Sequence, residues 1–503
     1  MNNISALTGQ QRHVGLNILW FLAFTAIVIT LAVFSGLLAS TGSVLLIGGF
    51  VGGIAGLVLL FSPNLLFAAG FVFSLAVGGL AQFYFGIGQA SWISSWLAAS
   101  LWAATILKNF RSGSLVIAHG RKMGGVGLFV SLYITALLMA AALNEISAKQ
   151  FVVGLRNYLP FIGVYIALRY ALSRKLIDIA PSALVVIGLV QLPFILHQFT
   201  VVGAQRRVST GAVGGEAEAI VGTFGGHLLG GGYTGEMAVF LLLASCIALV
   251  VYGGGGNKFF ARAMPLAAVG CVALAETKII FVLTPFVLSL VFWEEIKEKP
   301  SRLLALLAWS AVALGVLAGV YSLRFWWAGG FAEFLHAFTY SFDPDFMVTE
   351  YHRGRIGTLI HWWNMNPASG DLLHTSFGYG MASTLEASRV LGEGNAVRIF
   401  GYGLDSHAVS KLLWDSGVVG LGLFCLIILR TAMNAHRLIS IHGLSVAQRG
   451  MLKVSRSAMF VFMAMLPYQI SVVGGAPMQL LFWFFVGYVA YWRWQYLCGA
   501  IAK

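Results

Sequence analysis

The segment GYGLDSHAVSKLLWDSGVVGLG, residues 401–422, joins a polar stretch that carries a histidine directly to an apolar stretch. His407 stands where the apolar stretch begins, Lys411 follows four residues later, and Asp415 follows after another four. Residues four apart lie on the same face of an α-helix. The segment therefore predicts a helix that begins near His407 and places an imidazole, an ammonium and a carboxylate along one face.

His407 is the candidate catalytic base of this segment. The positive end of a helix dipole lowers the pKa of a histidine at the helix N-terminus and keeps the imidazole neutral. A neutral imidazole can accept a proton, and Asp405, two residues upstream, can orient the ring. The alternative is a histidine at the membrane interface beside a lysine that extends to the lipid headgroups.

Further cations lie at predicted outer edges of the chain. They are Arg156 in FVVGLRNYLP, Lys278 in AETKIIF, and the pair Arg353 and Arg355 in YHRGRIGTL. An arginine fork matches phosphate oxygens in a bidentate manner, so several together can hold the diphosphate of a lipid-linked substrate. Each can instead extend its charge to the headgroups, and Lys278 can pair with Glu276.

The composition shows which elements must position these residues. Of the 503 residues, 59% are hydrophobic and only 10% are charged, a composition typical of an integral membrane protein. Apolar windows of roughly the 20 residues needed to cross a membrane recur along the chain. We predict an all-α bundle of about twelve to fourteen membrane helices, near 15–39, 43–61, 64–84, 91–107, 124–143, 151–171, 177–198, 229–253, 263–275, 279–293, 303–322, 407–429, 457–473 and 476–495.

The basic residues predict the orientation of this bundle. The net charge of +13 would favour nucleic acid as a partner of a soluble protein, but here the cations gather in short loops. Segments 108–122, 173–175, 257–262 and 430–456 contain Lys and Arg without Asp or Glu, which places them in the cytoplasm. No nucleic-acid partner is expected.

This orientation divides the chain into three parts. Residues 1–322 form the first part of the bundle, residues 323–406 form a large external loop, and residues 407–503 form the C-terminal membrane helices. The loop is rich in Trp and Phe, so we expect it to be folded, with amphipathic helices.

The order of four segments resembles a known family. These segments are LRNYLPFIGVYIALRY, VGTFGGHLLGGGYTGEMAVFLLLA, GRIGTLIHWWNMNPASG and GYGLDSHAVSKLLWDSGVVGLGLF, between residues 150 and 430. Together they are similar to the superfamily of bacterial O-antigen ligases and O-antigen polymerases. The matching positions are Arg156, Gly222 to Phe224, Gly354 with Arg355, and His407 with Gly417 and Gly420. Ala408 departs from the Asn usual in the family, and nine rather than ten residues separate His407 from Gly417.

The resemblance implies a C-class glycosyltransferase fold in the bacterial inner membrane, with its site facing the periplasm. The donor would be an oligosaccharide on undecaprenyl diphosphate, and transfer would invert the anomeric centre without a metal or a cofactor. The acceptor would be a glycan in a polymerase, or the lipid A core or a protein in a ligase. Because Ala408 replaces the Asn common in ligases, we favour a polymerase. A chain-length regulator or a flippase is a possible partner.

Other motifs leave alternatives open. FDPDF, with Asp343 and Asp345, is similar to the D-x-D motif of metal-dependent glycosyltransferases, but Asp-Pro commonly begins a turn, and we favour the turn. Trp362, with His361 and Trp363 beside it, can stack on a sugar ring or belong to the aromatic belt of a membrane protein. The third functional class is a polysaccharide flippase, which would carry its ionisable residues near the middle of the membrane.

Overall fold

The computed structural model of this chain is 78% helical and has almost no strands. It describes residues 61–111, 125–203, 205, 220–226, 233–253, 257–275, 277, 279–301, 343–349, 352–386 and 392–499, with single helical positions between 303 and 319. Every element named below belongs to one compact unit, Pro63–Lys503. The predicted windows 15–39 and 43–61 lie outside the described residues, apart from Phe61.

Six described helices are long and apolar enough to cross a membrane. They are α1 (Pro63–Phe85), α2 (Ala90–Arg111), α3 (Val126–Leu143), α6 (Arg174–Val202), α7 (Thr234–Tyr252) and α14 (Ala408–Ile439). A seventh span arises if α4 (Ala148–Tyr158) and α5 (Ile162–Tyr170), which meet at 50°, are counted as one. This part of the chain is therefore a helical membrane protein, as the composition predicts.

The remaining elements are shorter or less apolar. The helices of the bundle are α8 (Lys258–Leu274), α9 (Ile279–Val291), α10 (Trp293–Glu298), α15 (Val446–Met465), α16 (Ser471–Gly474) and α17 (Ala476–Leu497). The predicted external loop contains β1 (Met347–Thr349), β2 (His352–Arg353), α11 (Arg355–Met365), α12 (Leu372–Phe377) and α13 (Asn395–Phe400). The two strands pair antiparallel. The described parts of the loop are thus folded, and mainly helical.

Local sequence explains the break between α4 and α5. The Ser147 side chain caps the start of α4 by accepting a hydrogen bond from the Gln150 amide. The helix ends at Tyr158, just before Leu159 and Pro160, because a proline cannot donate to the helix and disfavours helical geometry in the residue before it. A new helix then begins at Ile162.

Hydrogen bonds between elements that are distant in sequence define two ends of the unit. At one end, the Asn144 side chain donates to the Gly378 carbonyl and the Gln150 side chain donates to the Met381 carbonyl. At the other end, Gln448 donates to Asp178, and the Ser173 amide donates to Asn64. We call these the outer end and the inner end, after the predicted orientation.

The centre of the bundle is built around α17. Its large aromatic side chains, among them Phe482, Phe484, Phe485 and Trp492, are almost completely buried. This helix contacts α5, α14 and α15. A helix that is apolar on every side is expected in the interior of a large bundle, and α17 holds together the helices that form the site described next.

Candidate functional site

A cavity of about 310 Å³ opens at the outer end of the bundle. Its charged side chains are Arg156, Asp405 and Lys411. Its neutral polar side chains are Ser74, Gln82, Ser91, Ser94, Ser95, Asn157, Tyr233 and Gln479. Two cations and one carboxylate therefore share a space that is also lined by hydroxyls and amides, although Arg156 is far in sequence from Asp405 and Lys411.

Arg156 lies in the last turn of α4 and is held by α2. One terminal guanidinium nitrogen donates to the Ser91 hydroxyl at 2.8 Å. The guanidinium carbon lies 4.2 Å from the centre of the Trp92 ring, a cation–π contact. The Nε–H group of Arg156 is buried and has no hydrogen-bond partner among the described residues. The guanidinium is thus fixed in place with a donor still available.

Lys411 lies between two carboxylates. Its ammonium nitrogen is 3.9 Å from Asp405 Oδ2 and 3.9 Å from Asp415 Oδ2, and it donates to the Thr384 hydroxyl at 3.3 Å. Burial raises the pKa of the Asp405 carboxyl above its ordinary value, and the Lys411 charge partly opposes this effect. A carboxylate with a raised pKa beside a cavity is suited to accept a proton.

Asp415 has a structural role, because each of its carboxylate oxygens already accepts two hydrogen bonds within the protein. One oxygen accepts from the Tyr158 hydroxyl at 2.6 Å and from the Ala382 amide at 3.1 Å. The other accepts from the Ser383 hydroxyl at 2.7 Å and from the Thr384 amide at 3.0 Å. These four bonds tie the external loop and α4 to α14, and so hold Lys411 facing the cavity.

Two glycines let the external loop approach α14 closely. Gly417 has a φ of +65° and kinks α14, and a Cβ at this position would overlap the Ser376 carbonyl group. Gly378, with a φ of +66°, lies against the Trp414 carbonyl in the same way. Gly417, one of the positions that resemble the family, therefore packs against α12 of the loop.

His407 is the N-cap of α14, as the sequence predicts. Its Nδ1 accepts from the Ser410 amide at 3.0 Å, so its Nε2 carries the proton and donates to the Arg355 carbonyl at 3.1 Å. Burial lowers the pKa of His407 to about 4, which keeps the ring neutral. Asp405 does not orient the ring, because both ring nitrogens bond to backbone groups and the Asp405 carboxylate lies 3.9 Å from the Lys411 ammonium. His407 lies outside the cavity lining, and acting as a base would require it to release one of these bonds.

The other predicted arginines do not join Arg156. Arg355 donates from Nε to the Tyr468 carbonyl at 3.0 Å, and its guanidinium lies 4.5 Å from the centre of the Tyr468 ring. Arg353 stacks on Tyr402 at 4.5 Å. Neither lines the cavity. Lys278 lies outside the described residues, so its predicted role in holding the diphosphate stays a prediction.

Trp362 belongs to the core of the external loop. Only 6% of it is exposed, and it packs in a cluster with Tyr379, Leu404 and Trp414. A ring packed in this way offers no face to a sugar, so the predicted stacking role does not fit this structure. The reason is that the loop packs on α14, which contributes Leu413 and Trp414 to the cluster that buries Trp362.

The turn at Gly222 to Phe224 brings the GTF motif to the cavity. The Gln198 side chain accepts from the Gly222 amide at 2.7 Å, and Gln191 accepts from the Thr223 amide at 2.8 Å. The Thr223 hydroxyl donates to the Leu75 carbonyl at 2.6 Å. Because of these bonds, Phe224 lines the cavity.

Two π-helical turns lie beside this motif. They span Phe73–Val77 in α1 and Gln198–Val202 in α6, so Leu75 and Gln198, which hold the turn, both belong to them. Turns of this kind often mark functional sites. Their position favours a functional role for the cavity.

Several further cavity residues carry signals in the sequence. Ser91, Ser94 and Ser95 are spaced so that they share one face of α2, which is otherwise apolar. Tyr233 stands just before α7, and burial raises the pKa of its hydroxyl, which therefore stays protonated and able to donate. A polar face on a membrane helix indicates contact with other polar groups.

One described group has the geometry to hold a metal ion. A ring nitrogen of His352 and carboxylate oxygens of Glu386 and Asp405 all lie within 4.8 Å of one another. The closest pair, His352 Nδ1 and Glu386 Oε1, is 2.5 Å apart, which a hydrogen bond explains by itself. In the FDPDF motif, Asp343 accepts from the Asp345 amide at 2.9 Å, so that motif forms a turn.

No protein-family model matches this sequence, and no curated protein matches it. The geometry of the cavity and the order of the sequence motifs are therefore the grounds on which a function is assigned.

Proposed function

We propose that this protein is a membrane glycosyltransferase that polymerises oligosaccharide units carried on undecaprenyl diphosphate. The observation that carries the proposal is the cavity in which Arg156, Lys411 and Asp405 meet. The motif order that resembles the O-antigen ligase and polymerase superfamily supplies the substrate class and the C-class fold. The product would be an O-antigen, a capsule or an exopolysaccharide, made at the periplasmic face of a bacterial inner membrane.

The cations would bind the diphosphate of the donor. Arg156 is held rigidly by Ser91 and Trp92, and its guanidinium can bind phosphate oxygens. Lys411 adds a second positive charge in the same cavity. Both neutralise the charge that develops on the diphosphate as the bond to the sugar breaks, which is electrostatic stabilisation by groups already in place.

Asp405 would act as the general base. The acceptor hydroxyl attacks the anomeric carbon of the donor, and its proton passes to the Asp405 carboxylate. The new bond to the acceptor oxygen forms as the bond to the diphosphate oxygen breaks, and the bonding electrons leave with undecaprenyl diphosphate. A single displacement inverts the anomeric centre. His407 would orient the site by joining α14 to the Arg355 carbonyl.

The acceptor distinguishes two forms of this proposal. We favour a second lipid-linked glycan, as in a polymerase, because Ala408 stands where ligases usually have Asn. The alternative is a ligase that transfers the glycan to the lipid A core or to a protein. Both reactions use the same donor and the same base, so the cavity supports them equally.

A transporter of lipid-linked sugars is the second candidate. One observation favours it: Arg156, Glu236, Lys411 and Asp415 lie within apolar helices that can cross the membrane. Transporters concentrate ionisable residues in such helices. A transporter would move the donor across vesicles without forming a new glycosidic bond, so the two activities are separable in one preparation.

The test is the rate of glycan elongation by the purified protein with a lipid-linked donor. We expect Asp405→Asn to lower turnover by about 10²–10⁴-fold with donor binding almost unchanged, because only proton transfer is lost. The matched control is Asp371→Asn, a loop carboxylate that binds His374 at 2.6 Å outside the cavity, and it should keep most of the rate.

Two results would contradict the assignment of the base. Elongation at the wild-type rate by a folded Asp405→Asn protein would remove Asp405 from the chemistry. If a folded His407→Ala protein then lost at least about 10²-fold in turnover, the base would be His407. Donor translocation without elongation by the wild type would favour the transporter.

A further inference from the structure

Four arginines from three helices converge at the inner end of the bundle. Arg169 lies in α5, Arg430 and Arg437 lie in α14, and Arg493 lies in α17. Arg493 is close enough to the other three to be repelled by each of them. Because these positions are far apart in sequence, their meeting is a property of the fold and not of one basic loop.

Glycines at the start of α3 make room for these side chains. A Cβ added to Gly125 would lie 2.8 Å from Arg430 Nε and 3.1 Å from Arg493 Nη1. A Cβ added to Gly127 would lie 3.2 Å from Arg169 Nη1. The guanidinium groups of Arg169, Arg430 and Arg493 therefore lie directly against the N-terminus of α3, an 18-residue helix that begins at Val126.

Within the part of the chain that the structure describes, no carboxylate balances the charge of this cluster. None of the four arginines forms an ion pair with a carboxylate of the described residues, and the partners that do exist are neutral. Arg169 donates to the Tyr165 hydroxyl at 3.0 Å, and Arg493 donates to the Asn434 side chain. The segment before Gly125, residues 112–124, contains cations and no Asp or Glu.

The start of α3 adds to this excess of positive charge. No side chain caps its first turn, and an uncapped helix N-terminus is the positive end of the helix dipole. The Nε–H groups of Arg169 and Arg430 are buried and have no hydrogen-bond partner among the described residues. Repelling charges and unused donors that face one place are the features of an anion site.

We propose that this cluster binds a phosphate group, supplied by an anionic phospholipid of the inner leaflet. A small cavity of about 20 Å³ is lined by Arg169, Arg493, Asn434 and Trp494 and can admit one oxygen-sized group. Free phosphate has the same chemistry. The position at the ends of apolar helices, beside a tryptophan, favours a lipid headgroup.

The phosphate site is independent of the proposed glycosyltransferase. Lys411 lines the cavity at the outer end, whereas Arg430 lies beyond the Gly417 kink of α14, against Gly125 at the inner end. The two sites therefore face opposite leaflets. Failure of one assignment leaves the other in place, since lipid binding is measured without any glycan substrate.

The experiment measures lipid retained by the full-length protein after extraction from phosphatidylcholine vesicles that contain some phosphatidylglycerol, by native mass spectrometry. We expect phosphatidylglycerol to be retained in preference to phosphatidylcholine. Arg430→Gln and Arg493→Gln should each weaken this preference by about fivefold, the effect of removing one cation near a lipid phosphate. The control is Arg174→Gln, a cation at the same end whose side chain is 64% exposed and paired with Asp178.

Thermal unfolding provides a second measurement that does not depend on the variants folding equally well. In neutral detergent, adding phosphatidylglycerol should raise the wild-type Tm, and Arg493→Gln should remove this shift. If inorganic phosphate gives the shift and phosphatidylglycerol does not, the phosphate chemistry stands and the lipid source is wrong. No preference for phosphatidylglycerol and no Tm shift with either anion in the wild type would overturn the proposal. An equal loss in Arg174→Gln would do the same, because it would show a general effect of surface charge.

Discussion

The two ends of α14 carry cations in opposite electrostatic settings. At the outer end, Lys411 lies 3.9 Å from each of two carboxylates, Asp405 and Asp415. At the inner end, Arg430 meets Arg493 and has no carboxylate partner among the described residues. A cation whose counter-ions belong to the protein holds a fixed position for chemistry. A cation without them depends on a ligand for its stability.

The two ends also differ in what holds their cations in place. The outer cation is tied through Asp415, which accepts four hydrogen bonds from the external loop and from Tyr158. The inner cluster has neutral hydrogen-bond partners, Asn434 and Tyr165, among the residues that the structure describes. We therefore expect changes at the outer end to alter folding and turnover in any medium, and changes at the inner end to depend on the anions present.

The largest expected effect on stability comes from Lys411→Met. Removing the cation leaves the buried Asp415 and its neighbour Asp405 without their counter-ion, which should destabilise the protein by about 3–5 kcal/mol. Arg430→Met, the matched change at the inner end, should cost far less in neutral detergent because it relieves repulsion. Thermal unfolding of both variants without anionic lipid checks this, and equal losses would show that the two ends do not differ as described.

The second-largest expected effect is a loss of stability at acidic pH, caused by protonation of His407. Its folded pKa of about 4 lies below the ordinary value of about 6.5, so the unfolded chain binds this proton more tightly. This contribution to stability is present above about pH 6.5 and is lost as the pH falls towards 4, by at most about 3 kcal/mol.

The measurement for His407 is unfolding between neutral and mildly acidic pH. His407→Asn keeps an acceptor at the N-cap but cannot titrate, so its stability should fall less on acidification than that of the wild type. The difference between the two curves isolates the histidine from the carboxylates that titrate in both proteins. Identical curves would show that the folded state protonates this ring as easily as the unfolded state does.

A smaller effect is expected from Arg156→Lys at the outer site. The charge is kept, but the fork that Ser91 and Trp92 hold is lost. Donor binding should weaken roughly tenfold, which corresponds to one charge-assisted hydrogen bond. Arg353→Lys is the control, since that guanidinium stacks on Tyr402 outside the cavity. Equal weakening in both would indicate a general role of loop arginines.

Features set by local sequence were predictable. The apolar windows gave the helical membrane bundle, because the length and hydrophobicity needed to cross a membrane depend on consecutive residues. The start of α14 at His407 and the pairing of Lys411 with Asp415 also follow from local rules for helix caps and for residues four apart.

Features that depend on distant contacts were not predictable. Arg353 and Arg355 have the same side chain as Arg156, yet they face Tyr402 and Tyr468, and nothing near them in sequence distinguishes them. The partner of His407 Nε2 is the backbone carbonyl of Arg355, and every residue has such a group. Trp362 became part of a core because the external loop packs on Leu413 and Trp414 of α14, which are distant in sequence.

The smallest expected effect is that of metal removal on elongation. The proposed mechanism stabilises the diphosphate with Arg156 and Lys411, so EDTA should leave the rate unchanged.

The group of His352, Glu386 and Asp405 makes the experiment informative, because these three residues have donor atoms close enough for one ion. If EDTA abolished elongation and a divalent cation restored it, Glu386→Gln would be the decisive variant, since Glu386 belongs to this group and does not line the cavity. A restored rate in wild type but not in Glu386→Gln would assign the ion to this group. Asp405 would then be a metal ligand, and the comparison between the two ends would have to include a bound cation at the outer one.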